Sequence, residues 1–475
     1  MVKPIDPSEA TDTVVSSRSA DDSPAAPAAP AISRGALLKG AAATAAGVAL
    51  LAPAARALAA SSPVAAPSVV GNAPQGAITI WDRAGDLFQV FDATIPSFNK
   101  KYPGIKVNHV AVDVDAKLPT TLATGVNVPD GSFYEDANLP VQAGHFYDLT
   151  DLMKPYVKGI VPFKVQVNTH NGRILGVPWD LDPGLLYYRE DLLHQAGVDP
   201  MSITTYDELF TAGQTLQKKL GPSVKPIHVE QDPGLAQLWV EMFANQQGVS
   251  MVDSSGKLQI NSAPYLKILQ WIKRVNDAGL GTRAVYYSPG DIKAIEAGQV
   301  ALYPWAIWAS YGPQFLFKRS KGLWRAMPLP AWTKGGARGA VMGGSSFIIP
   351  NKAANPHLAW LWYEHLVFSR EGYRAVYGPN KIYPGGLSTS LPSYTPALSE
   401  QLFQNPAGLG GQNLWQVATS TVKQIPGTYY YPTWYNQAIP YFGANIQRLL
   451  DGKLTPQQVL TQSASDIQTK LFNRA

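Results

Sequence analysis

The chain has 475 residues, 39 Lys+Arg against 34 Asp+Glu, 10% aromatic residues and no cysteine. That length exceeds one compact core and predicts two lobes. The formal charge of +5, without a Lys/Arg block, speaks against a nucleic-acid partner. The missing cysteines exclude disulfide scaffolds, thiolate zinc sites, iron–sulfur clusters, cysteine nucleophiles and lipid attachment at a cysteine.

Residues 1–32 are rich in Ser, Ala, Pro and Asp, a composition that predicts disorder. Ser33-Arg34-Gly35-Ala36-Leu37-Leu38-Lys39 then leads into an Ala/Gly/Leu run ending at Leu51, with Ala57-Leu58-Ala59 behind Arg56. This order of basic, apolar and small-residue regions predicts an export signal over 1–59. It resembles a twin-arginine signal, with Gly35 where the second arginine of that pattern stands. The run is short and mildly apolar for a membrane span of about 20 residues, so cleavage rather than a retained anchor is expected. A Pro/Ala/Ser linker follows over 60–76.

Ala77-Ile78-Thr79-Ile80-Trp81 alternates as a strand, and Ile105 to Val112 gives a second. Between them Leu87, Val90, Phe91, Ile95 and Phe98 predict one helix over 86–101, stopped by Tyr102-Pro103-Gly104. This βαβ order predicts an α/β protein with parallel strands. Thr205 with Glu208 reads as a capping box. Pro264, Ser288-Pro289, Asn355-Pro356 and Thr455-Pro456 each open a further helix. Strand-like pieces stand at 299–303 and 346–349.

No motif for zinc, calcium, nucleotide or a nucleophile elbow is complete, and no cofactor is expected. Asp113-x-Asp115 and Asp180-x-Asp182 are fragments of a calcium loop without its twelve-residue ligand series. What stands out is a set of loops joining aromatics to hydrogen-bonding groups. They are Trp81-Asp82-Arg83, Tyr134-Glu135-Asp136, Trp179 to Asp182, Asp232 to Trp239, Trp305 to Trp308 and Trp434-Tyr435. A sugar presents C–H-rich faces and a rim of hydroxyls, which want flat rings and charged or amide partners respectively. Taken singly, each ring fits an ordinary core position as well.

Phe98-Asn99-Lys100-Lys101-Tyr102-Pro103-Gly104-Ile105-Lys106-Val107 resembles the F-x-x-x-Y-P-G-I-x-V pattern of extracellular solute-binding proteins that feed ABC importers. Gly172 to Pro178 with Leu186-Tyr187-Tyr188-Arg189-Glu190-Asp191-Leu192 resembles a second motif of the same family. Thr204 to Leu209, Glu296 to Leu302, Met327 to Pro330, Gly343-Gly344 and Pro350-Asn351-Lys352 continue the series. The resemblance is to the carbohydrate-binding branch, related to maltose-binding protein. It implies a type II periplasmic-binding-protein fold, two α/β lobes joined by three hinge crossings near 182–188, 325–330 and 377–383. The N-terminal lobe would be 77–182 plus 331–376, and the C-terminal lobe 189–325 plus 384–475. The implied ligand contacts are Trp81, Asp82, Arg83, Tyr134, Glu135, Asp136, Asp180, Asp182, Asp232, Gln237, Trp305, Trp308, Gly343, Gly344, Ser345, Trp434 and Tyr435, with Trp305 and Trp308 where the family carries a stacking tryptophan. The implied role is that of an exported monomer that binds a small-molecule ligand, a carbohydrate, and delivers it to permease subunits without catalysis. The same fold could instead bind a polyamine, metal complex or anion. A secreted glycoside-acting enzyme would use carboxylates such as Glu135 and Asp180.

Overall fold

The computed structural model describes residues 74–404 and 408–472. The export signal expected over 1–59 and most of the linker lie outside the described residues.

Gly76–Asp82 and Ile105–Ala111 form the expected parallel pair, with Gly76 opposite Ile105 and Asp82 opposite Ala111. Gly131–Glu135 adds a third parallel strand on the other side of Gly76–Asp82. Ser345–Ile348 and Gly176–Pro178 then extend the sheet antiparallel, giving five strands in the order 105–111, 76–82, 131–135, 345–348, 176–178. Helix Pro356–Phe368, buried along most of its length, packs on this sheet.

The segment expected as one helix over 86–101 is two, Asp86–Asp92 and Ile95–Lys101. Pro96, at the start of the second, has no N–H to continue an α-helical ladder. The Thr94 hydroxyl instead turns back to the Phe91 carbonyl at 2.7 Å.

A second sheet is wholly antiparallel: Gly184–Arg189 lies between Trp324–Pro328 and Leu302–Ala306. Isolated parallel bridges from Ile227 to Leu302 and to Gly281 widen it. The strand expected at 299–303 is therefore displaced towards the C-terminus, because Gly298 ends the preceding helix in the left-handed conformation (φ 72°) and Val300–Ala301 are needed to reach the sheet. Around it stand Tyr206–Leu220, with both halves of the Thr205/Glu208 capping box formed, Pro233–Gln246, Ala263–Asp277 and Tyr435–Leu450. Pro456–Ile467 carries a second capping box, Thr455 with Gln458.

The chain passes between the sheets three times. It leaves the first after Pro178 and joins the second at Gly184; on the way Asp180–Leu181 pairs with Leu391–Pro392, which belongs to the third passage. It returns between Pro328 and Ser345. The result is two α/β lobes with their strand ends turned towards a common cleft. Among the described residues no helix is long and apolar enough to cross a membrane.

Candidate functional site

The carboxyl ends of parallel strands are where open α/β sheets hold ligands, and here they deliver Asp82-Arg83 and Glu135-Asp136. Arg83 forms an ion pair with Glu135 at the surface of the cleft and lies 4.4 Å from the centre of the Phe133 ring. Behind this pair the side chains are buried. Lys164, fully buried on the short helix Pro162–Val167, forms an ion pair with Asp136, lies 3.7 Å from Asp180 and donates to the Ser345 carbonyl at 2.8 Å. Asp180 accepts from the Ser345 N–H at 2.7 Å and its hydroxyl at 3.0 Å, and Asp136 accepts from Ser346 at 2.6 Å.

Gly343 and Gly344 close this network from above, at φ 92° and 124°. A Cβ on Gly344 would lie 2.9 Å from an Asp136 carboxylate oxygen and 3.1 Å from the Lys164 ammonium, so the close approach requires glycine. Burial, followed by the charge on Asp180, raises the Asp182 carboxyl well above the usual range. Burial also pushes Glu135 up to about 7, although Arg83 pulls the other way. The cluster thus gathers four carboxyls, Glu135, Asp136, Asp180 and Asp182, around Lys164 and Arg83. It can accept and donate hydrogen bonds within a few ångströms.

The facing lobe supplies rings. Trp305, fully buried, stacks on Tyr286 with centroids 4.8 Å apart and planes 9° apart, and Tyr286 stacks in turn on Tyr287 at 4.0 Å. Trp308, half-buried, stands edge-on to Trp305 at 5.5 Å and donates its indole N–H to the Met342 carbonyl at 3.4 Å. The aromatic wall therefore touches the chain next to Gly343. Behind the stack lies His228, buried between Glu230 (3.4 Å) and Asp291 (3.8 Å) with its ring 3.9 Å from that of Tyr303. Glu230 also accepts the Tyr286 N–H at 3.1 Å, which fixes the stacking loop.

Beside Met342–Gly343, where the two walls meet, lies a small crevice of about 10 Å³, bounded by Phe163, Leu238, Glu241, Val341–Gly343, Tyr429 and Tyr435 among others. Of the residues expected from sequence, the structure brings together Arg83, Glu135, Asp136, Asp180, Asp182, Gly343, Gly344 and Ser345, with Trp308 and Tyr435 reaching the same region. Trp434, half-buried, precedes helix Tyr435–Leu450 and accepts from the N–H groups of Gln437 and Ala438. Gln237 is buried beside Tyr435.

Others are placed differently. Trp81 and Tyr134 alternate onto the opposite face of the sheet and pack in a core with Leu118, Leu139 and Phe146, where Lys117 lies 4.4 Å over the Trp81 ring. Asp82 is buried 3.6 Å from His109. Asp232 caps helix Pro233–Gln246 through the N–H groups of Gly234 and Leu235. Trp305, expected as an open stacking platform, gives that face to Tyr286, leaving Trp308 as the half-open tryptophan.

Sequence reasoning passed over Lys164, Tyr286, His228, Glu241, Tyr429 and Tyr431. Lys164 sits between Phe163 and Val165, and a lone charge on an apolar helix was the one available signal. Tyr286-Tyr287 and Tyr429-Tyr430-Tyr431 are tyrosine runs whose direction only packing decides.

The sequence pattern of the bacterial extracellular solute-binding protein family matches residues 84–370, and the chain belongs to that family. It is 26% identical to the arabinooligosaccharide-binding protein of Bacillus subtilis, over 65% of this chain and 72% of that one. It is 27% identical to the lactose-binding protein of Rhizobium radiobacter, over 82% and 92%. Among solved structures it superposes on the sugar-binding protein MalE from Xanthomonas citri with a TM-score of 0.69 at 18% identity, covering 84% of this chain and 98% of that one. The galacto-N-biose-/lacto-N-biose I-binding protein of Bifidobacterium longum gives 0.68 at 18%, covering 85% and 98%. These neighbours carry the type II periplasmic-binding-protein fold.

Proposed function

We propose that this chain is the solute-capturing receptor of an ABC importer and that its solute is a sugar or short oligosaccharide, held between the lobes and released unchanged to membrane permease subunits. The observation that carries this reading is the meeting, at Met342–Gly343, of a wall of rings with a rim of carboxylates, a guanidinium and glycine backbone. Rings cover the C–H faces of a sugar and the rim takes its hydroxyls. The relatives named for binding arabinooligosaccharides and lactose support the same ligand class.

Closure supplies the switch: a ligand moves the open–closed balance only through contacts it makes better in the closed form. Asn436 of helix Tyr435–Leu450 donates to Asn138 of the N-terminal lobe, a contact that separation of the lobes would break. On this reading the protein works as an exported monomer at the outer face of the membrane. Arg83 and Lys164 already engage the acidic set that a polyamine would need. Glu135 and Asp180, the pair a glycosidase would use, are engaged with Arg83 and with Ser345 and Lys164.

The test is a thermal-shift screen against mono- and oligosaccharides, amines and anions. A concentration-dependent rise with saccharides alone is expected. A rise with amines or anions and none with any sugar would overturn the ligand class, and multiple-turnover release of sugar fragments would overturn the receptor.

A further inference from the structure

Residues 423–434 join helix Leu414–Val422 to helix Tyr435–Leu450 without helix or strand of their own. Within them Tyr429 is 4% exposed and is bonded to both lobes at once. Its N–H donates to the Gln166 side chain at 2.7 Å, on helix Pro162–Val167 of the N-terminal lobe. Its ring lies 6.2 Å from that of Phe163 on the same helix. Its hydroxyl donates to Glu241 on helix Pro233–Gln246 of the C-terminal lobe, a carboxylate that also accepts from the Tyr265 hydroxyl at 2.8 Å. Burial, followed by the Glu241 charge, raises the Tyr429 phenol well above its ordinary range, so it stays a donor.

Tyr431 lies edge-on to both Tyr429 and Tyr435, at 4.8 and 5.0 Å. With Phe163 and Glu241 these three rings bound the space beside Met342–Gly343, where the polar rim meets the aromatic wall. What they leave open is about 10 Å³, room for about one water and far below the roughly 300–1,000 Å³ of a ligand pocket. A sugar ring therefore cannot lie beside Gly343 while Tyr429 keeps both partners. Pro426 and Pro432, at either end of the tyrosine run, have no N–H with which to hold it in place.

We propose that residues 427–431 are an autoinhibitory clasp: Tyr429 joins the lobes across the cleft in the place the solute must take, and capture requires its release from Gln166. The proposal rests on the receptor reading above and adds to it a contact of the protein with itself, with which the solute competes. The apparent affinity is then the intrinsic one scaled by the fraction of molecules whose clasp is open. Weakening an anchor raises that fraction and tightens binding. A tyrosine or glutamine that touched the solute would do the opposite when removed, so the sign of the effect separates the two roles.

Titration calorimetry on the full chain reads that sign, with arabinotriose, lactose and maltose and with any other saccharide that raises the melt in the thermal screen. Gln166→Ala removes the anchor in the N-terminal lobe and Tyr429→Phe the one in the C-terminal lobe. Each should tighten binding by roughly two- to tenfold, the effect of one hydrogen bond on the open fraction. Gln166→Glu keeps an acceptor for the Tyr429 N–H and should bind as the parent does. Hydrogen exchange at residues 427–431 of the solute-free protein should quicken in the first two variants and not in the third. If Gln166→Ala, or Tyr429→Phe should the first not fold, melts cooperatively yet binds as the parent does or more weakly, the clasp is refuted while the receptor reading stands. Saccharide binding by either variant where the parent shows none would support both. A parent and variants that bind no saccharide at all refute both.

Discussion

Two buried cations, one in each lobe, solve the same problem with different shapes. Lys164 sits between Asp136 and Asp180, and His228 between Glu230 and Asp291. An ammonium is a compact point charge with three donors, and Lys164 uses that reach to pin Ser345, fixing the glycine turn over the cleft. An imidazole is flat as well as charged, and His228 lies against Tyr303, so the same residue that sits between two carboxylates also packs the aromatic wall. One lobe is organised by directional polar contacts and the other by rings with charge behind them. That division is what a guest with hydroxyl edges and C–H faces requires.

Removing one cation breaks the comparison most severely. Lys164→Met should cost about 3–5 kcal/mol, because Asp136 and Asp180 are left buried without their partner; urea unfolding measures it, and pairing the change with Asp136→Asn should recover part of the loss. A cost near zero would mean that the two carboxylates are not held as described.

The aromatic side has its own test. Trp305→Ala should cost a similar 3–5 kcal/mol by leaving a cavity under Tyr286, whereas Trp434→Ala, at a half-buried ring, should weaken sugar binding with less effect on the melt. If Trp434→Ala binds as tightly as the parent in calorimetry, that tryptophan is no ligand contact.

The third test uses pH. Burial opposes the charge on His228, but Asp291 and Glu230 raise it to about 9, above the ordinary histidine range. A raised folded-state value means that the stabilisation is complete below about pH 6.5 and is lost as pH rises towards 9. Its size is on the order of 3 kcal/mol. His228→Gln should flatten the stability profile in that window, measured by melts from pH 6 to 10, and an unchanged slope would show that the imidazole is not charged.

The smallest stability effect belongs to the exposed ion pair. Arg83→Ala should cost less than about 1 kcal/mol in stability because its side chain is 45% exposed. It should nevertheless weaken sugar binding by roughly tenfold, the loss of a charge-assisted hydrogen bond. Equal melts with unequal affinities would separate the cleft surface from the buried networks behind it.

Local signals carried the elements well. The Ile78–Trp81 alternation, the Tyr102-Pro103-Gly104 stop and the Thr205/Glu208 and Thr455-Pro456 starts all depend on neighbours within a few residues, and the structure has a strand, a helix end and two capping boxes at those places. The single helix expected over 86–101 failed for a local reason too, since Pro96 lay in plain view and its missing N–H was not weighed against the periodicity. Part of the rim was legible because Arg83 and Glu135-Asp136 stand at the ends of neighbouring parallel strands, whereas Asp82 turned inward to His109.

What the sequence by itself determined is the α/β alternation, its family pattern and the strand-end residues, for these follow from spacing along the chain. Tertiary structure alone decided which rings face the cleft and which residues share a charge. Trp81 and Trp305 differ in role from Trp308 because alternation along a strand and the stacking of Tyr286 consume their surfaces. Lys164 and Asp180 meet only when a short helix and an interlobe passage are brought together in space. A side chain's direction is set by what packs against it, and sequence spacing holds no record of that.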